Sequence, residues 1–215
     1  MNVLLDNLPL YGRAFLGTIQ LFVVSAIGSL ILGTILAGMR VSPVPVLRAF
    51  GTAYVNIVRN TPLTLVFFFL TFAYPRLEIV PLSYFVGACV ALVLYTSAFV
   101  CEVVRSGVNT VPVGQAEASR ALGFTFVQTL GQIVLPQAFR ATVPPLTNIM
   151  IALLKNTTIA AGFSVFEAGG IYQNLSERGY NVFVGLLWVA LFFIILVVPL
   201  TLLQRNLEKR WSVAR

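Results

Sequence analysis

The chain has 215 residues, 58% of them hydrophobic and only 10% charged, with a formal net charge of +7 and a mean hydropathy of +0.92. Soluble domains carry roughly 25% charged residues, so this composition excludes an ordinary globular enzyme and assigns the chain to lipid. His is absent and Cys occurs twice, which leaves no ligand cluster for a metal, and no basic, aromatic-interleaved soluble segment exists to bind nucleic acid.

The start, MNVLLDNLPLYGR, carries an acid and leads into a full-length apolar block. A cleavable signal peptide would have a basic start and a shorter apolar core, so the first block is expected to stay. Blocks near twenty residues long, the length that crosses about 30 Å of hydrocarbon, cover roughly residues 15–39, 53–74, 82–104, 146–165 and 182–203. They are continuously apolar and lack the alternation of barrel strands, which favours helices. The expected fold class is therefore all-α, a single transmembrane domain of five spans over residues 1–215.

In the second block Pro62 follows Arg59, Asn60 and Thr61, and a proline there is expected to kink the helix. The third block holds Thr96, Ser97 and Glu102. Its two cysteines, Cys89 and Cys101, would lie about 18 Å apart on one helix, too far for a disulfide, and read as packing residues. Arg59 and Glu102 fall at similar depths near the same membrane face. Each could snorkel to the interface, or the two could pair across a pathway as a gate.

Basic residues set the orientation. With the segment after the first block inside, that side holds Arg40, Arg48, Arg105, Arg120, Arg140, Arg205, Lys209, Arg210 and Arg215, leaving Arg13, Arg76 and Arg178 outside. The positive-inside rule then puts the N-terminus outside and the C-terminus in the cytoplasm.

The longest cytoplasmic loop, about residues 105–140, contains the most polar long stretch of the chain, GQAEASRALGFTFVQTLGQIVLPQ. Gln115 to Leu122 can form a two-turn helix, small on one side through Ala118 and Ser119, ended by Gly123 with positive φ. Thr125 can cap a second helix, whose Phe126, Leu130, Ile133 and Val134 make an amphipathic face until Pro136 disfavours continuation. The product is an arm about 12 Å long, pointing away from the membrane. It is either a contact piece for a cytoplasmic partner or an ordinary loop with two amphipathic helices.

In the fourth block Lys155 lies about ten residues in, near the midplane, where a charge costs at least ~2.5 kcal/mol. Asn148, Ala152, Lys155, Thr158 and Gly162 recur at helical spacing, forming a small and polar stripe that should face the bundle interior. An ammonium there could meet a substrate carboxylate, and neutral Asn156 beside it would not repel a second one. Thr96 and Ser97, with Thr157 and Thr158, could add hydroxyl hydrogen bonds if their helices face one another. These polar groups could also simply bond neighbouring helices. At the end of the chain, EAGGIYQNLSERGYN (residues 167–181) reads as an external loop and RNLEKRW (205–211) as a basic, interfacial stop.

The residues Glu117, Ala118, Gly123, Ile133, Leu135 and Pro136 resemble the E-A-A, G, I-x-L-P signature of permease subunits of binding-protein-dependent ABC importers. RNTPL (59–63), YTSAFVCEVVRSG (95–107) and LLKNTTI (153–159) are similar to the polar amino-acid branch of these permeases, and the detailed match is best to the glutamate-uptake permeases of actinobacteria. Together the motifs cover nearly the whole chain. The resemblance implies a type I importer permease fold in the cytoplasmic membrane. Its polar arm would be a coupling helix, with Gly114, Gln115, Glu117, Ala118, Ser119, Leu122 and Gly123 docking in a cleft of the ATP-hydrolysing subunit. Ser119 departs from the usual alanine but is small enough to leave docking intact. Asn156 stands where many relatives carry aspartate, which argues against a cationic substrate.

The implied partners are a dimer of ATP-binding subunits, an extracytoplasmic amino-acid-binding protein, surrounding lipid, and a second permease chain, a homologous heterodimer being favoured over a homodimer. The chain itself has no G-x-x-x-x-G-K-[ST] motif, so ATP and Mg would be bound by the partner ATPase. The chain is expected to need no cofactor and to be no enzyme. Glutamine, aspartate or a cationic amino acid are alternative substrates. A secondary transporter would commonly show an internal repeat, which is not evident here, and a channel or scaffold subunit would have no use for a docking arm.

Overall fold

In the computed structural model, residues 2–42 and 44–211 are described, with no side-chain description for Asn2, Phe126, Leu130 and Trp211. Two of the four residues of the expected amphipathic face, Phe126 and Leu130, therefore fall outside the described side chains, as does Arg215 of the basic tail. Every regular element among the described residues is helical. A short α1 (Asn2–Leu5) precedes α2 (Leu8–Val41), which has proline in its first turn, where the missing N–H costs nothing. Next comes α3 (Pro45–Arg59), also begun by proline.

The second block is a break, not a mild kink. After α3 the chain turns by 101° into the helical run Leu63–Leu77, which comprises α4 (Leu63–Phe68), a π-helical turn and a 3-10 turn. Pro62 disfavours helical φ/ψ at Thr61. The Asn60 and Thr61 side chains donate back to the carbonyls of Asn56 (2.7 Å) and Ile57 (2.8 Å), which satisfies two of the orphan acceptors at the end of α3.

Ser83 caps α5 (Tyr84–Asn109) by accepting from the Val86 N–H. The arm follows as α6 (Val113–Ala121) and α7 (Phe126–Gln128). A π-helical turn, Thr129–Val134, leads directly into α8 (Leu135–Asn156), which continues as a 3-10 helix, Thr157–Phe163. Pro136 thus opens α8 instead of ending the preceding helix, because in the first turn its absent N–H has no intrahelical partner to lose. The fourth spanning run is Gly131–Phe163, beginning well before the expected residue 146. Lys155 consequently stands at the end of α8, not midway along a helix. The chain closes with α9 (Ile171–Glu177) and α10 (Val182–Trp211). Among the described residues four runs are long and apolar enough to cross a membrane, and up to five if the bent pair counts as one.

The bundle is built around α2 against α5, the most extensive helix pair in the chain. Ser25, Ser29, Gly33 and Ala37, all buried, repeat every fourth residue and give α2 one small face. In lipid there is no hydrophobic force between helices, so close backbone approach through small residues supplies the packing. A Cβ on Gly33 would lie 2.5 Å from Val100 Cβ and 2.8 Å from the Ser97 carbonyl oxygen. The main core joins Leu21, Phe67, Leu92, Leu153 and Phe163 from α2, α4, α5, α8 and its 3-10 extension. A second cluster packs Tyr11 and Ala14 against Ile171, Leu175 and Val189. By contrast, only 11% of the most apolar stretch of α10 is buried, so that helix presents its apolar surface outward, as lipid requires.

Gly33→Val is expected to force α2 from α5 at an overpacking cost of about 1–3 kcal/mol. Thermal unfolding in detergent should show a midpoint lower by several degrees, at about 2–4 °C per kcal/mol. Gly12→Ala, where nothing lies within 4 Å, should not lower it.

Candidate functional site

A cavity of about 350 Å³ lies between α5 and α8, lined by Tyr95, Thr96 and Phe99 on one side and Asn148, Ile149, Ala152, Leu153 and Asn156 on the other. It gathers three of the polar residues singled out in the sequence: Thr96, Asn148 and Asn156. No charged side chain lines it. Ser97 does not join them. Its hydroxyl donates to the Leu94 carbonyl (2.9 Å) and sits 3.0 Å from Tyr54 Oη, tethering α5 to α3. Thr157 is fully buried and donates to the Leu154 carbonyl, while Thr158 donates to that of Lys155. Both hydroxyls are thus engaged with the preceding turn.

The expected interior stripe is not interior to this chain. Asn148, Ala152, Lys155 and Gly162 are exposed. Lys155 and Thr158 line a separate groove of about 500 Å³ against Phe193, Ile194, Val197 and Val198 of α10, because adjacent residues of a helix point about 100° apart.

One carboxylate dominates the electrostatics. Glu102 on α5 is in direct contact with Arg40 at the end of α2, accepts from Arg105 at 3.1 Å and has Arg59 at 3.7 Å. The expected proximity of Arg59 and Glu102 is present, but as the longest of three contacts. Arg40, the partner that sequence reasoning missed, was counted only as a flanking positive charge. Its depth at the end of the first block was the available signal. Arg59 also lies over the Phe99 ring, 5.6 Å from its centroid.

At the same end of the bundle, α6 projects with Gly114, Gln115, Glu117, Ala118 and Leu122 exposed, Leu122 by 80%. Gly123 has φ +88°, the left-handed value that ends a helix without steric cost in glycine alone. Thr125 and Gln128 form a reciprocal cap: Thr125 Oγ1 accepts from the Gln128 N–H, and Gln128 Oε1 accepts from the Thr125 N–H. Ser119 is turned the other way. It is buried, 2.9 Å from Thr129 Oγ1, so it fastens the arm to its base and offers no outward contact. Gln137 Nε2 donates to Gln115 Oε1 at 2.6 Å, a further tie between arm and base.

Just beyond the fourth spanning run, Glu167 is fully buried and was read in the sequence only as part of an outer loop. Its carboxylate accepts from Thr18 of α2 (3.1 Å) and from the Gly169 N–H (2.6 Å). Thr18 Oγ1 in turn accepts from the Ala168 N–H. Burial pushes this carboxyl up to about 7, against hydrogen bonds that favour the charged form. The run of small residues around it, AGG, was the one sequence sign of close packing.

An apolar bundle whose helices are long enough to cross a membrane, with a few polar side chains on an open face, defines an α-helical membrane protein. Residues 29–213 match the family described as binding-protein-dependent transport system inner membrane component, and the chain belongs to that family. It is 48% identical, over 94% of each chain, to the glutamate transport system permease protein GluC of Corynebacterium efficiens, and 46% identical with the same coverage to that of Corynebacterium glutamicum. The probable glutamine ABC transporter permease protein GlnM of Bacillus subtilis is 37% identical over 98% of this chain and 97% of its own. Among solved structures, an amino acid ABC transporter with histidines matches at TM-score 0.90 and 23% identity, covering 96% of both chains. The chain is thus an inner membrane component of a binding-protein-dependent transport system.

Because the folded state holds the Glu167 proton more tightly than an ordinary carboxyl does, the neutral form favours the fold. That contribution is complete below about pH 4.5 and is lost as pH rises through about 7. The melting midpoint in detergent should fall by about 5 °C between pH 5 and pH 8, and Glu167→Gln should flatten this slope. An unchanged slope in the variant would remove Glu167 as its cause.

Proposed function

We propose that the chain is one translocation subunit of an ABC importer for glutamate, with its N-terminus outside and its C-terminus in the cytoplasm. The observation that carries this reading is the polar cavity of Thr96, Asn148 and Asn156 between α5 and α8, whose rim at Asn148 and Ala152 is exposed. A second permease chain would cover that rim, a homologous one by preference, and enclose the pathway between the two. The two GluC relatives support glutamate among polar amino acids. The wholly uncharged lining of the cavity agrees, since an aspartate at position 156 would repel a second carboxylate at low dielectric.

In this reading the arm α6 is the coupling helix. Its exposed Gly114, Gln115, Glu117, Ala118 and Leu122 contact a dimeric ATP-binding subunit, which holds ATP and Mg, while Ser119 and Gly123 set the arm's attachment and angle. An extracytoplasmic amino-acid-binding protein delivers substrate to the opposite face, near residues 167–181. Arg59 and Glu102 sit at the cytoplasmic end of the pathway as gate elements. Lys155, in its separate groove, acts on an anionic substrate only through longer-range charge.

Two experiments on the reconstituted complex test this. Gly123→Val cannot keep the left-handed turn without strain and should lower ATP-dependent uptake at least about tenfold while membrane insertion and assembly persist. Normal uptake in that variant would contradict the coupling role of α6. In competition uptake with one binding protein, Asn156→Asp should reduce glutamate relative to glutamine by about fivefold or more. Lys155→Met should reduce it less. An unchanged ranking in both variants would contradict the pathway assignment.

A further inference from the structure

Three guanidinium groups surround a single carboxylate at Glu102, so the cluster keeps a surplus of two positive charges. The three arginines are not equivalent. Arg40 and Arg105 engage the two carboxylate oxygens of Glu102 separately. Arg59, at 3.7 Å, is beyond hydrogen-bond reach. Its side chain is 46% exposed, and among the described residues it makes no hydrogen bond, leaving the donors of its planar fork free to receive a carboxylate side-on.

Position adds to chemistry. Arg59 rests over the face of Phe99, and Phe99 lines the cavity that holds Thr96, Asn148 and Asn156. No cation lines that cavity, and Lys155 opens into a different groove. Arg59 is also the last residue of α3, immediately before the 101° break, so it can shift with α3 without carrying α4 along. Contact with the aromatic face orients the guanidinium while leaving its edge unoccupied.

We infer that Arg59 receives a carboxylate of the transported amino acid at the mouth of the cavity between α5 and α8, with Glu102 as the resident anion that the substrate replaces. This rests on the reading of the cavity as an amino-acid pathway. Glu102 keeps Arg40 and Arg105 throughout, so the exchange leaves no bare charge: the substrate carboxylate takes over the one contact that Glu102 holds loosely. Arg59 is then a recognition residue, whereas Arg40 and Arg105 are positioning residues.

The test measures binding of radiolabelled glutamate and glutamine to the purified complex of both permease chains and the ATPase, without the binding protein. Arg59→Gln should weaken glutamate binding at least tenfold and Arg59→Lys less, since lysine keeps the charge but loses the fork. Glu102→Gln should tighten glutamate binding, because it removes the competing anion. A parallel loss for glutamine assigns the contact to the α-carboxylate, and a loss for glutamate alone assigns it to the side chain. Undiminished glutamate binding in Arg59→Gln overturns the inference. So does an equal loss in Glu102→Gln, which would mean that the cluster only holds helices together. If Arg59→Gln fails to assemble, wild-type affinity in Arg59→Lys overturns it instead. A wild-type complex that binds neither amino acid sinks the pathway reading itself, a result distinct from either.

Discussion

A charge in a hydrocarbon environment must be paired, and Glu102 is where this chain meets that demand. Arg40 reaches it from α2, Arg59 from α3 and Arg105 from one turn along α5. Arg40 and Glu102 are the least exposed pair of the cluster and hydrogen-bond across α2 and α5, so this contact ties those two helices at one end of the bundle, with Arg59 of α3 held more loosely. The close contact of α2 and α5 through Ser25, Ser29 and Gly33 fixes their spacing along the rest of their length. Packing holds the helices together, and the ions fix their register. At the other end Thr18 and Glu167 perform a similar task with hydrogen bonds, joining α2 to the segment that follows α8.

Held between those two ties, α8 turns one side to α5 and the other outward. Its exposed residues include Asn148, Ala152 and Lys155, of which the asparagine and the lysine are costly in hydrocarbon. The outer face of α10 is different in kind, being apolar throughout its middle. The contrast separates an apolar surface from one that carries polar and charged groups. The chain is an inner membrane component of a binding-protein-dependent transport system, and a projecting arm can pass on helix movement only through rigid attachments. The arm α6 has such attachments: the Thr125–Gln128 cap, the Ser119–Thr129 contact and the Gln115–Gln137 bond.

Hydropathy made α2, α5 and α10 legible, because each is continuously apolar over the required length. It misplaced α8 by more than ten residues, since the first turns carry Gln137, Arg140 and Thr142 and because Pro136 reads equally as a stop or as a first-turn residue. The break at Pro62 was visible as a proline but not in its size, which depends on the side chains of Asn60 and Thr61 closing off α3. Glycine punctuation at Gly123 and capping chemistry at Thr125 are local, and the sequence showed both. Arg40 and Glu167 were not recognised as site residues because their partners lie far away in sequence, at Glu102 and Thr18, and only tertiary packing brings them together. The same limit applies to Ser119 and Ser97, whose hydroxyls face inward on helices whose rotation the sequence left undetermined.

On the proposed reading this chain moves an amino acid only as part of an ATP-driven assembly. Vesicles containing this chain, its second permease and its ATPase, supplied with the binding protein and labelled glutamate, test it most directly. Accumulation should require ATP on the ATPase side and should survive the collapse of proton and sodium gradients. Accumulation by this chain without the ATPase, abolished instead by dissipating an ion gradient, would contradict the account.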